Sequence, residues 1–395
     1  MALFSTAGLL SGQPQVGGCP VFPSRNIWNT PIDKLPVLPH SADFIATEGA
    51  TMPVHPDFGP LSSIPYQVVP ADQKLVPITI GNDESDPGPY PIPDKPLIES
   101  GEDQHMIIIR QGECKLYEIY SAQKQPDGSW TGGTGAIFDL RLNILRPDGW
   151  TSADAAGTPI FAGLVRWDEV ASGVIKHALR MTVPQTNGSY VWPARHSASR
   201  LSGSQYPPMG TRFRLKAGYD ISGFDPVVRV ILQALKTYGA ILSDNGSAWF
   251  ITGAPDPHWD NDVLAQIKQV KGSDLEAVDE SYLQVGPNSG LVMDSGAPTR
   301  VVVTAAPSMT FDLSNGTVQS TTLTTDATPA LANFTDGQHV SFLICQDSAG
   351  GHAFNWPATV VGGMQISTTP GTCSAQSFIS DGTKLYATTP GMTNM

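Results

Sequence analysis

The placement of proline constrains the fold of this chain more than any other feature of its sequence. Half of the prolines, 17 of 34, lie in the first 100 of 395 residues, and four of them fall within residues 86–93. Proline fixes φ and removes a backbone donor, so such a segment is poorly suited to the interior of a sheet or helix. We therefore expect the first hundred residues to cross the surface as extended loops with few ladder hydrogen bonds.

Patterns typical of β-strands begin after this segment. The first two candidate strands are joined by a hairpin-like connection at 111–113, and the second of them alternates between two faces. The candidate strands occupy 105–110, 114–120, 135–140, 175–183, 190–193 and 211–215. Their spacing favours an antiparallel arrangement over a βαβ series. The sequence therefore predicts a mainly β fold, an antiparallel β-sandwich of jelly-roll type with a few helices.

The helices carry recognisable start and stop signals. The best specified one begins after Asp225, a capping residue, and ends before Gly239. It leads into two strands on either side of a turn at 244–246. A second helix is expected over 260–272, and a short third one over 167–172.

The composition of the chain changes towards its C-terminus. Residues 286–299 are rich in Gly, Pro and Ser, as linkers are. Residues 300–395 contain 7 charged residues but 17 threonines, which favour strands. We predict a main β-sandwich domain at 1–285, a linker at 286–299 and an accessory β-sandwich module at 300–395 without a catalytic cluster.

Charge and motifs exclude several classes of function. The net charge is −13 at neutral pH, and Lys and Arg form no basic stripe. Duplex nucleic acid is therefore excluded as a main partner, since phosphate contacts need clustered positive charge. The longest strongly apolar runs, such as 106–109, are too short to cross a bilayer. The sequence contains no G-x-S-x-G, G-x-G-x-x-G, P-loop or H-E-x-x-H motif, and we expect no cofactor.

Cysteine usage favours an oxidising compartment. The four cysteines match neither a CxxC motif nor a zinc ribbon. Two lie early and two late, so the natural pairing is Cys19–Cys114 and Cys345–Cys373, with four buried thiols as the alternative. The first ten residues lack a basic region and a long apolar core, so we expect a signal peptide to have been removed from a secreted protein.

Two parts of the chain resemble known groups of proteins. Motifs such as Gly149-Trp-Thr-Ser-Ala-Asp-Ala-Ala-Gly157 and Trp192-Pro-Ala-Arg-His196 resemble a group of secreted soil-bacterial proteins over about 19–285. That resemblance implies secretion but brings no established activity. Segments such as Asn355-Trp-Pro and Asp381-Gly-Thr-Lys-Leu-Tyr386 resemble β-modules of phage tail and secreted surface proteins, which implies binding, attachment or oligomerisation.

Carboxylates and imidazoles supply the candidate catalytic groups. Asp139 lies between two apolar residues on a predicted strand, so it projects from the opposite face and would have a raised pKa on a concave surface. Asp168 and Glu169 follow an Arg-Trp pair at a loop–helix junction. His105 and His177 are candidate supporting groups, because imidazoles near carboxylates can act as bases or ligands. Most of these residues have a structural alternative. Asp139 would be a solvated strand residue, and Asp168 would cap the helix. His105 would be a strand-edge histidine, and His177 a core histidine.

Aromatic and polar loop residues are candidates for substrate binding. Flat rings beside carboxylates suit pyranose faces, where CH groups stack and hydroxyls find acceptors. The candidates are Trp150, Trp167, Trp192, Arg195, His196 and Trp259. Packing of many of these rings in the core is the alternative. Two acidic clusters, 83–86 and 256–260, are further candidates for acids or, in the first case, for Ca²⁺ ligands.

These features favour a secreted polysaccharide-active enzyme. Paired carboxylates predict a glycoside hydrolase acting on a β-glucan-type or other cell-wall polymer. The alternatives are a non-catalytic glycan-binding or surface-attachment protein, a metal-dependent enzyme in which histidines converge, and a polysaccharide lyase using His196, Arg195 and Tyr190. We expect a polysaccharide partner, no bound metal beyond a structural Ca²⁺ ion, and oligomerisation through the C-terminal module.

Overall fold

The computed structural model describes residues 13–293 and 300–395. These residues form two compact units, with the boundary between Val292 and Met293. Residues 1–12, which include the ten considered for a signal peptide, and positions 294–299 of the predicted linker lie outside the described residues. The earlier linker positions belong to the first unit: the Gly290 carbonyl accepts a hydrogen bond from the Ile27 N–H at 2.8 Å.

The first unit is built from fifteen described strands and four α-helices. Its strands are β1 Gln15–Val16, β2 Cys19–Pro20, β3 His55–Asp57, β4 Tyr66–Val69, β5 Ile78–Ile80, β6 Met106–Arg110, β7 Lys115–Tyr120, β8 Gln123–Lys124, β9 Trp130–Gly132, β10 Thr134–Asp139, β11 Leu179–Val183, β12 Arg212–Leu215, β13 Ala240–Asn245, β14 Phe250–Thr252 and β15 Leu275–Val278. Its helices are α1 Ser41–Glu48, α2 Trp167–Ser172, α3 Pro226–Thr237 and α4 Asn261–Leu264. Short 3-10 helices occupy Ile27–Asn29, Phe161–Gly163, Ala265–Gln269, Gly272–Asp274 and Ser281–Leu283.

Two mixed sheets carry most of this unit. One has four strands in the order β10-β7-β6-β4, and the other has six in the order β15-β12-β13-β11-β14-β3. The expected hairpin between β6 and β7 is antiparallel, whereas β4–β6, β11–β13 and β3–β14 pair in parallel. A two-stranded sheet, β1-β2, and a three-stranded sheet, β5-β9-β8, complete the unit. The sheets are therefore mixed in direction, where the sequence had suggested antiparallel pairing throughout.

Helix α3 forms for the reasons that its sequence predicts. The Asp225 carboxylate accepts a hydrogen bond from the Val227 N–H at 2.9 Å, which satisfies a free donor of the first turn. Its apolar stripe is buried in a core with the six-stranded sheet. Gly239 ends the helix with φ +64°, and a Cβ there would lie 2.3 Å from the Phe213 carbonyl oxygen, so glycine is required.

The proline-rich N-terminal segment is mostly irregular, as predicted, but it supplies helix α1 and the short strands β3, β4 and β5. A disulfide between Cys19 and Cys114 connects this segment to the start of β7. The predicted strand at 190–193 does not form, and Tyr190 makes an isolated bridge to Met209 instead. None of the helices in the described residues is long and apolar enough to cross a membrane.

The second unit is all-β apart from the 3-10 turn Leu313–Asn315. Its described strands are β16 Arg300–Val302, β17 Thr310–Asp312, β18 Val318–Leu323, β19 Ala330–Ala332, β20 Asp336–Gln346, β21 Val360–Val361, β22 Cys373–Asp381 and β23 Leu385–Ala387. Six of them form a mixed sheet in the order β16-β18-β20-β22-β23-β21, and β17 pairs with β19. The second predicted disulfide, Cys345–Cys373, joins β20 to β22.

The main expectations for the fold are confirmed. The molecule is mainly β with a few helices, and both predicted disulfides are present. Helix α2 has the predicted bounds, and β6, β7, β10, β11 and β12 lie within one or two residues of the predicted strands or inside them. The expected helix over 260–272 is shorter, because α4 passes into a 3-10 helix at Ala265.

Candidate functional site

The first unit contains a polar cleft of about 480 Å³, which we call the His105 cleft. His105 and Tyr120 line it from the four-stranded sheet, Asp244 and Asn245 from the end of β13, and Thr151–Ala155 from a loop. Its ionisable lining residues include Glu84, Asp103, His105, Asp154, His196 and Asp244. The cleft therefore combines four carboxyl groups with two imidazoles, which are the common groups of acid–base catalysis.

Asp154, which lines this cleft, belongs to a buried ion pair. Arg180 of β11 donates from Nε and Nη2 to the two carboxylate oxygens of Asp154, at 2.8 and 2.7 Å. Its Nη1 donates to the Thr252 hydroxyl at 2.8 Å. Burial alone would lower the pKa of Arg180, but the Asp154 carboxylate raises it by more. A forked pair of this kind fixes both side chains in one geometry.

The loop that carries Asp154 is held by its own hydrogen bonds. The Ser152 hydroxyl donates to the Thr158 carbonyl at 2.7 Å and accepts from the Asp154 N–H at 2.9 Å. Gly157 closes the turn with φ +70°, where a Cβ would lie 2.3 Å from the Trp150 carbonyl oxygen. Only glycine fits this close approach, so the turn depends on that residue.

Asp244, at the end of β13, is a cleft carboxyl group with a raised pKa. Burial, aided by the negative charge of Asp154, raises the pKa of Asp244 to about 7, although Arg180 and the Asn245 N–H act in the opposite direction. Arg180 Nη2 lies 3.3 Å from Asp244 Oδ2, and about a third of the Asp244 side chain is exposed. Asp244 is therefore a carboxyl group that can hold and release a proton near neutral pH.

His105 is paired with Glu99 at the start of β6. The His105 Nδ1 lies 2.5 Å from Glu99 Oε2, and its Nε2 lies 3.2 Å from the Ala153 carbonyl oxygen. Burial alone would lower the pKa of His105, but the hydrogen bond and charge of Glu99 raise it overall. The same pair lowers the pKa of Glu99 against the effect of its own burial. Both ring nitrogens face acceptors, so His105 is arranged as a charged imidazolium.

His196 and Glu84 face each other in the cleft. The His196 Nδ1 lies 2.8 Å from the Ala155 carbonyl oxygen, which can only accept, so this nitrogen carries a proton. The neutral ring then has its lone pair on Nε2, which lies 3.7 Å from Glu84 Oε2. Glu84 is oriented by the Thr151 N–H, which donates to Oε2 at 3.0 Å. The pair resembles an imidazole base with a carboxylate beside it.

A completely buried carboxyl group lies behind the cleft in β7. Glu118 accepts hydrogen bonds from the Ile160 and Phe161 N–H groups at 3.0 and 2.8 Å. Burial raises the pKa of Glu118 to about 7, while these two donors lower it. Glu118 thus connects the four-stranded sheet to the 3-10 helix Phe161–Gly163.

One group of side chains in the described residues could hold a metal ion. Ligand atoms of Glu99, Asp103 and His105 all lie within 4.8 Å of one another. A carboxylate and imidazole set of this kind suits Zn²⁺, Mn²⁺ or Fe²⁺ better than Ca²⁺. The 2.5 Å contact between His105 and Glu99 is a hydrogen-bond distance, so a metal ion at this nitrogen would replace the shared proton.

Asp139 does not have the environment that the sequence suggested. Arg141 donates to both of its carboxylate oxygens, from Nε at 3.0 Å and from Nη2 at 2.8 Å. These hydrogen bonds lower the pKa of Asp139, so the expectation of a raised pKa is wrong. The physical reason is that the face of β10 opposite Phe138 presents Asp139 to a surface arginine rather than to a concave apolar site.

Asp168, Glu169 and His177 gather around Arg166, away from the His105 cleft. Arg166 Nη2 lies 2.6 Å from Glu169 Oε1, and His177 Nε2 lies 2.9 Å from Glu169 Oε2. Burial would raise the pKa of Glu169, but His177 and Arg166 lower it overall. Asp168 is mostly exposed and lines a different cleft. Of the five predicted catalytic residues, His105 alone is among the residues that line the His105 cleft.

The predicted substrate-binding residues have separate roles. His196 lines the His105 cleft, and Trp167 lines the same cleft as Asp168. Trp259 is buried, and its Nε1 donates to the Ala254 carbonyl at 2.9 Å. Trp192 donates from Nε1 to the Ser289 carbonyl at 2.8 Å, and Trp150 packs against the Arg146 guanidinium.

Arg195 is committed to structural contacts. It donates to the Arg146 carbonyl at 2.8 Å, to the Pro287 carbonyl at 2.6 Å and to the Asn288 side chain at 2.7 Å. The Tyr190 hydroxyl donates to Asp148 at 3.0 Å. The lyase arrangement that the sequence suggested therefore has its arginine and tyrosine engaged elsewhere, while His196 faces the cleft.

Sequence reasoning missed Asp154, Arg180 and Asp244 as members of a site. Asp244 was visible only as part of a turn, and Asp154 only within a motif of the resemblance. Arg180 did give a signal, because it lies in the otherwise apolar and uncharged segment Leu179–Val183. An arginine inside a buried strand requires a buried acceptor, and that requirement predicts a charged partner elsewhere in the chain.

Comparison of the chain with protein-family models, with curated proteins and with solved structures finds no match. The resemblances drawn from the sequence therefore stay predictions.

Proposed function

We propose that the protein is a secreted polysaccharide-active enzyme, a glycoside hydrolase whose chemistry takes place in the His105 cleft. The observation that carries the proposal is Asp244, a carboxyl group with a pKa of about 7 in a polar cleft beside other acids and a histidine. Glycoside hydrolysis needs one carboxylic acid that is protonated at working pH and a second group that acts as base or nucleophile.

Asp244 is the candidate general acid. It donates its proton to the glycosidic oxygen as the bond from that oxygen to the anomeric carbon breaks. Arg180 and Asp154 are positioning residues, because their buried pair holds the Arg180 nitrogen that contacts Asp244. A proton donor with a pKa near the operating pH combines a protonated resting state with a good driving force for transfer.

His196 and Glu84 are the candidate base. The lone pair on His196 Nε2 accepts a proton from a water molecule as the water oxygen bonds to the anomeric carbon. The imidazolium that forms is stabilised by the Glu84 carboxylate, whose Oε2 lies 3.7 Å away. The proton lost by Asp244 and the proton gained at His196 balance the addition of one water across the bond.

Two observations support secretion and an extracellular polymer as substrate. Both disulfides are formed, which is typical of proteins from oxidising compartments. The lining of the His105 cleft is rich in hydroxyl, amide and carboxyl groups, which suits a polyhydroxylated substrate. We further propose a β-glucan-type or other cell-wall polymer as substrate, and attachment or oligomerisation as the role of the second unit.

A metal-dependent enzyme is the second candidate. The cluster of Glu99, Asp103 and His105 favours it, because these three residues offer ligand atoms within 4.8 Å of one another at the same cleft. Such an ion would bind and polarise a substrate or a water molecule. The third candidate is a non-catalytic glycan-binding protein. Binding of a polysaccharide without its cleavage would favour it.

The test is a product screen over a panel of polysaccharides, with the purified protein before and after treatment with a chelator. We expect the protein to release reducing ends equally well before and after treatment with the chelator. We expect Asp244→Asn to lower turnover by about 10²–10⁴-fold and to leave the melting temperature unchanged. Asp139→Asn is the matched control and should keep wild-type turnover. Loss of turnover on chelation would favour the metal-dependent enzyme, and full turnover in Asp244→Asn would overturn the acid role.

A further inference from the structure

A second cleft in the first unit has its own chemistry. It has a volume of about 360 Å³, and its lining includes Tyr66, Leu97, Arg166, Trp167, Asp168 and Asp256. We call it the Arg166 cleft. Its described lining residues do not overlap with those of the His105 cleft, so the two can be altered separately.

Arg166 is buried but incompletely paired. Its side chain is 1% exposed, and its Nη2 lies 2.6 Å from Glu169 Oε1. Within the described residues, none of its three guanidinium nitrogens makes a hydrogen bond, so the Nη2–Glu169 contact is an ion pair without hydrogen-bond geometry, and Asp168 Oδ1 lies 3.7 Å from Nε. Buried guanidinium nitrogens are nearly always hydrogen-bonded, so unused donors on a residue that lines a cleft point to an oxygen-bearing ligand.

Charge at the rim selects the class of ligand. Asp168 and Asp256 both line the cleft, and Glu169 contacts Arg166 from behind. These three acids disfavour an anion, because a like charge nearby is costly in a partly buried site. A hydroxyl group fits both demands, since it accepts from the Arg166 nitrogens and donates to the rim carboxylates.

Aromatic rings supply the apolar surface that a sugar ring needs. Trp167 and Tyr66 line the cleft, and Trp167 is held in place by its neighbours. It stacks on His258 at 5.4 Å and contacts Trp259 edge-on at 4.9 Å. A fixed indole presents a flat surface at little entropic cost, which favours stacking against the CH groups of a sugar.

We propose that the Arg166 cleft is a second carbohydrate-binding site, which takes a neutral glycosyl unit between the Arg166 nitrogens, the Trp167 ring and the carboxylates of Asp168 and Asp256. The choice of a sugar as ligand rests on the proposed function, whereas the site itself rests on its own residues. Such a site would hold a polymer at a position that the His105 cleft does not contact.

The test uses isothermal titration calorimetry with the full chain carrying Asp244→Asn, so that hydrolysis does not consume the probe. The probes are cellohexaose, laminarihexaose, xylohexaose and a hexamer of galacturonic acid. We expect at least one neutral hexamer to bind, and Trp167→Ala or Arg166→Lys to weaken that binding about tenfold or more. If Arg166→Lys does not fold, Trp167→Ala alone decides the test.

Two exposed positions give matched controls. Tyr282→Ala removes a half-exposed aromatic ring elsewhere in the unit, and Arg141→Lys alters a surface arginine. Both should leave the affinity unchanged. Unchanged affinity in Trp167→Ala, binding of the acidic hexamer alone, or binding of none of the four probes would overturn the proposal.

The outcomes for the two clefts are separable. If Asp244→Asn abolishes turnover but Trp167→Ala binds normally, the second site fails and the proposed function stands. If Trp167→Ala weakens binding but Asp244→Asn still cleaves, the proposed function fails in its acid residue and the second site stands.

Discussion

In the first unit the buried polar side chains include many charged ones, whereas in the second unit they are amides and hydroxyls. The charged set of the first unit includes Glu48, Glu118, Arg146, Asp154, Arg166, Arg180, Arg195, Arg212, Arg214 and Glu280. The set in the second unit is Gln319, Ser320, Thr321, Gln346, Ser374, Gln376 and Ser380. Burying a charge is costly unless it is paired, so a unit that accepts this cost so often is organised around chemistry or precise positioning.

The difference also explains where the candidate sites lie. In the first unit several buried charges meet clefts, among them Asp154 with Arg180, Arg166 with Glu169, and Arg212 with Glu280. In the second unit, Gln346 and Gln376 use their amides to hold loops by donating to backbone carbonyls. Neutral amides hold a fold together without titrating.

The largest expected effect on stability comes from removing the disulfides, of which each unit contains one. The Cys19–Cys114 disulfide has a sequence separation of 95, and Cys345–Cys373 one of 28. Loop-closure entropy then gives roughly 5 kcal/mol for the first and roughly 4 kcal/mol for the second. We expect the double alanine variant of the first pair to lose more stability in denaturant unfolding than that of the second. A larger loss from the second pair would contradict this order.

The next largest effect comes from breaking a buried ion pair of the first unit, compared with breaking an exposed one. Arg180→Ala leaves the buried Asp154 carboxyl group without its partner, which should cost about 3–5 kcal/mol in the free energy of unfolding. Arg141→Ala removes the partner of Asp139 at the surface and should cost far less, because solvent screens exposed pairs. Urea unfolding of the two variants measures both. Equal losses would mean that the Arg180–Asp154 pair is no more important than a surface pair.

The smallest effect is a dependence of the stability of the first unit on pH between 5 and 7. Burial raises the pKa of Glu118 from 4.5 to about 7, so the folded protein keeps a proton that the unfolded chain releases. Its stabilising contribution is therefore full below about pH 4.5 and is lost as the pH rises through 7. We expect Glu118 to contribute a fall in the free energy of unfolding of on the order of 1 kcal/mol per pH unit in this range, and Glu118→Gln to lose that contribution. Glu102→Gln, at an exposed position, should keep the wild-type slope, and an equal slope in Glu118→Gln would contradict the role of Glu118.

The sequence predicted those parts of the fold that depend on local signals. Asp225 and the apolar stripe of α3, the alternation of β7 and the early and late pairs of cysteines each carry their information within a short segment. The parallel pairing of β11 with β13 could not be predicted in this way, because it depends on which distant strands meet. The short strands of the proline-rich segment were missed for the same reason.

The candidate site was predicted only in part. His105 and His196 were recognised as polar groups on loops or strand ends, and both line the cleft. The raised pKa expected for Asp139 was wrong because strand alternation gives the face of a residue but not what lies opposite that face, which here is Arg141. Asp244 was missed because its raised pKa comes from burial and from Asp154, which is 90 positions away in the sequence.

The central claim is that Asp244 holds a proton near neutral pH, and its titration tests this most directly. Carboxyl carbons of aspartate can be labelled with ¹³C and followed by NMR from pH 4 to pH 9, and the signal that is lost in Asp244→Asn identifies the residue. We predict a midpoint at about pH 7 for this signal. A midpoint near 4, as for an ordinary solvated aspartate, would contradict the account.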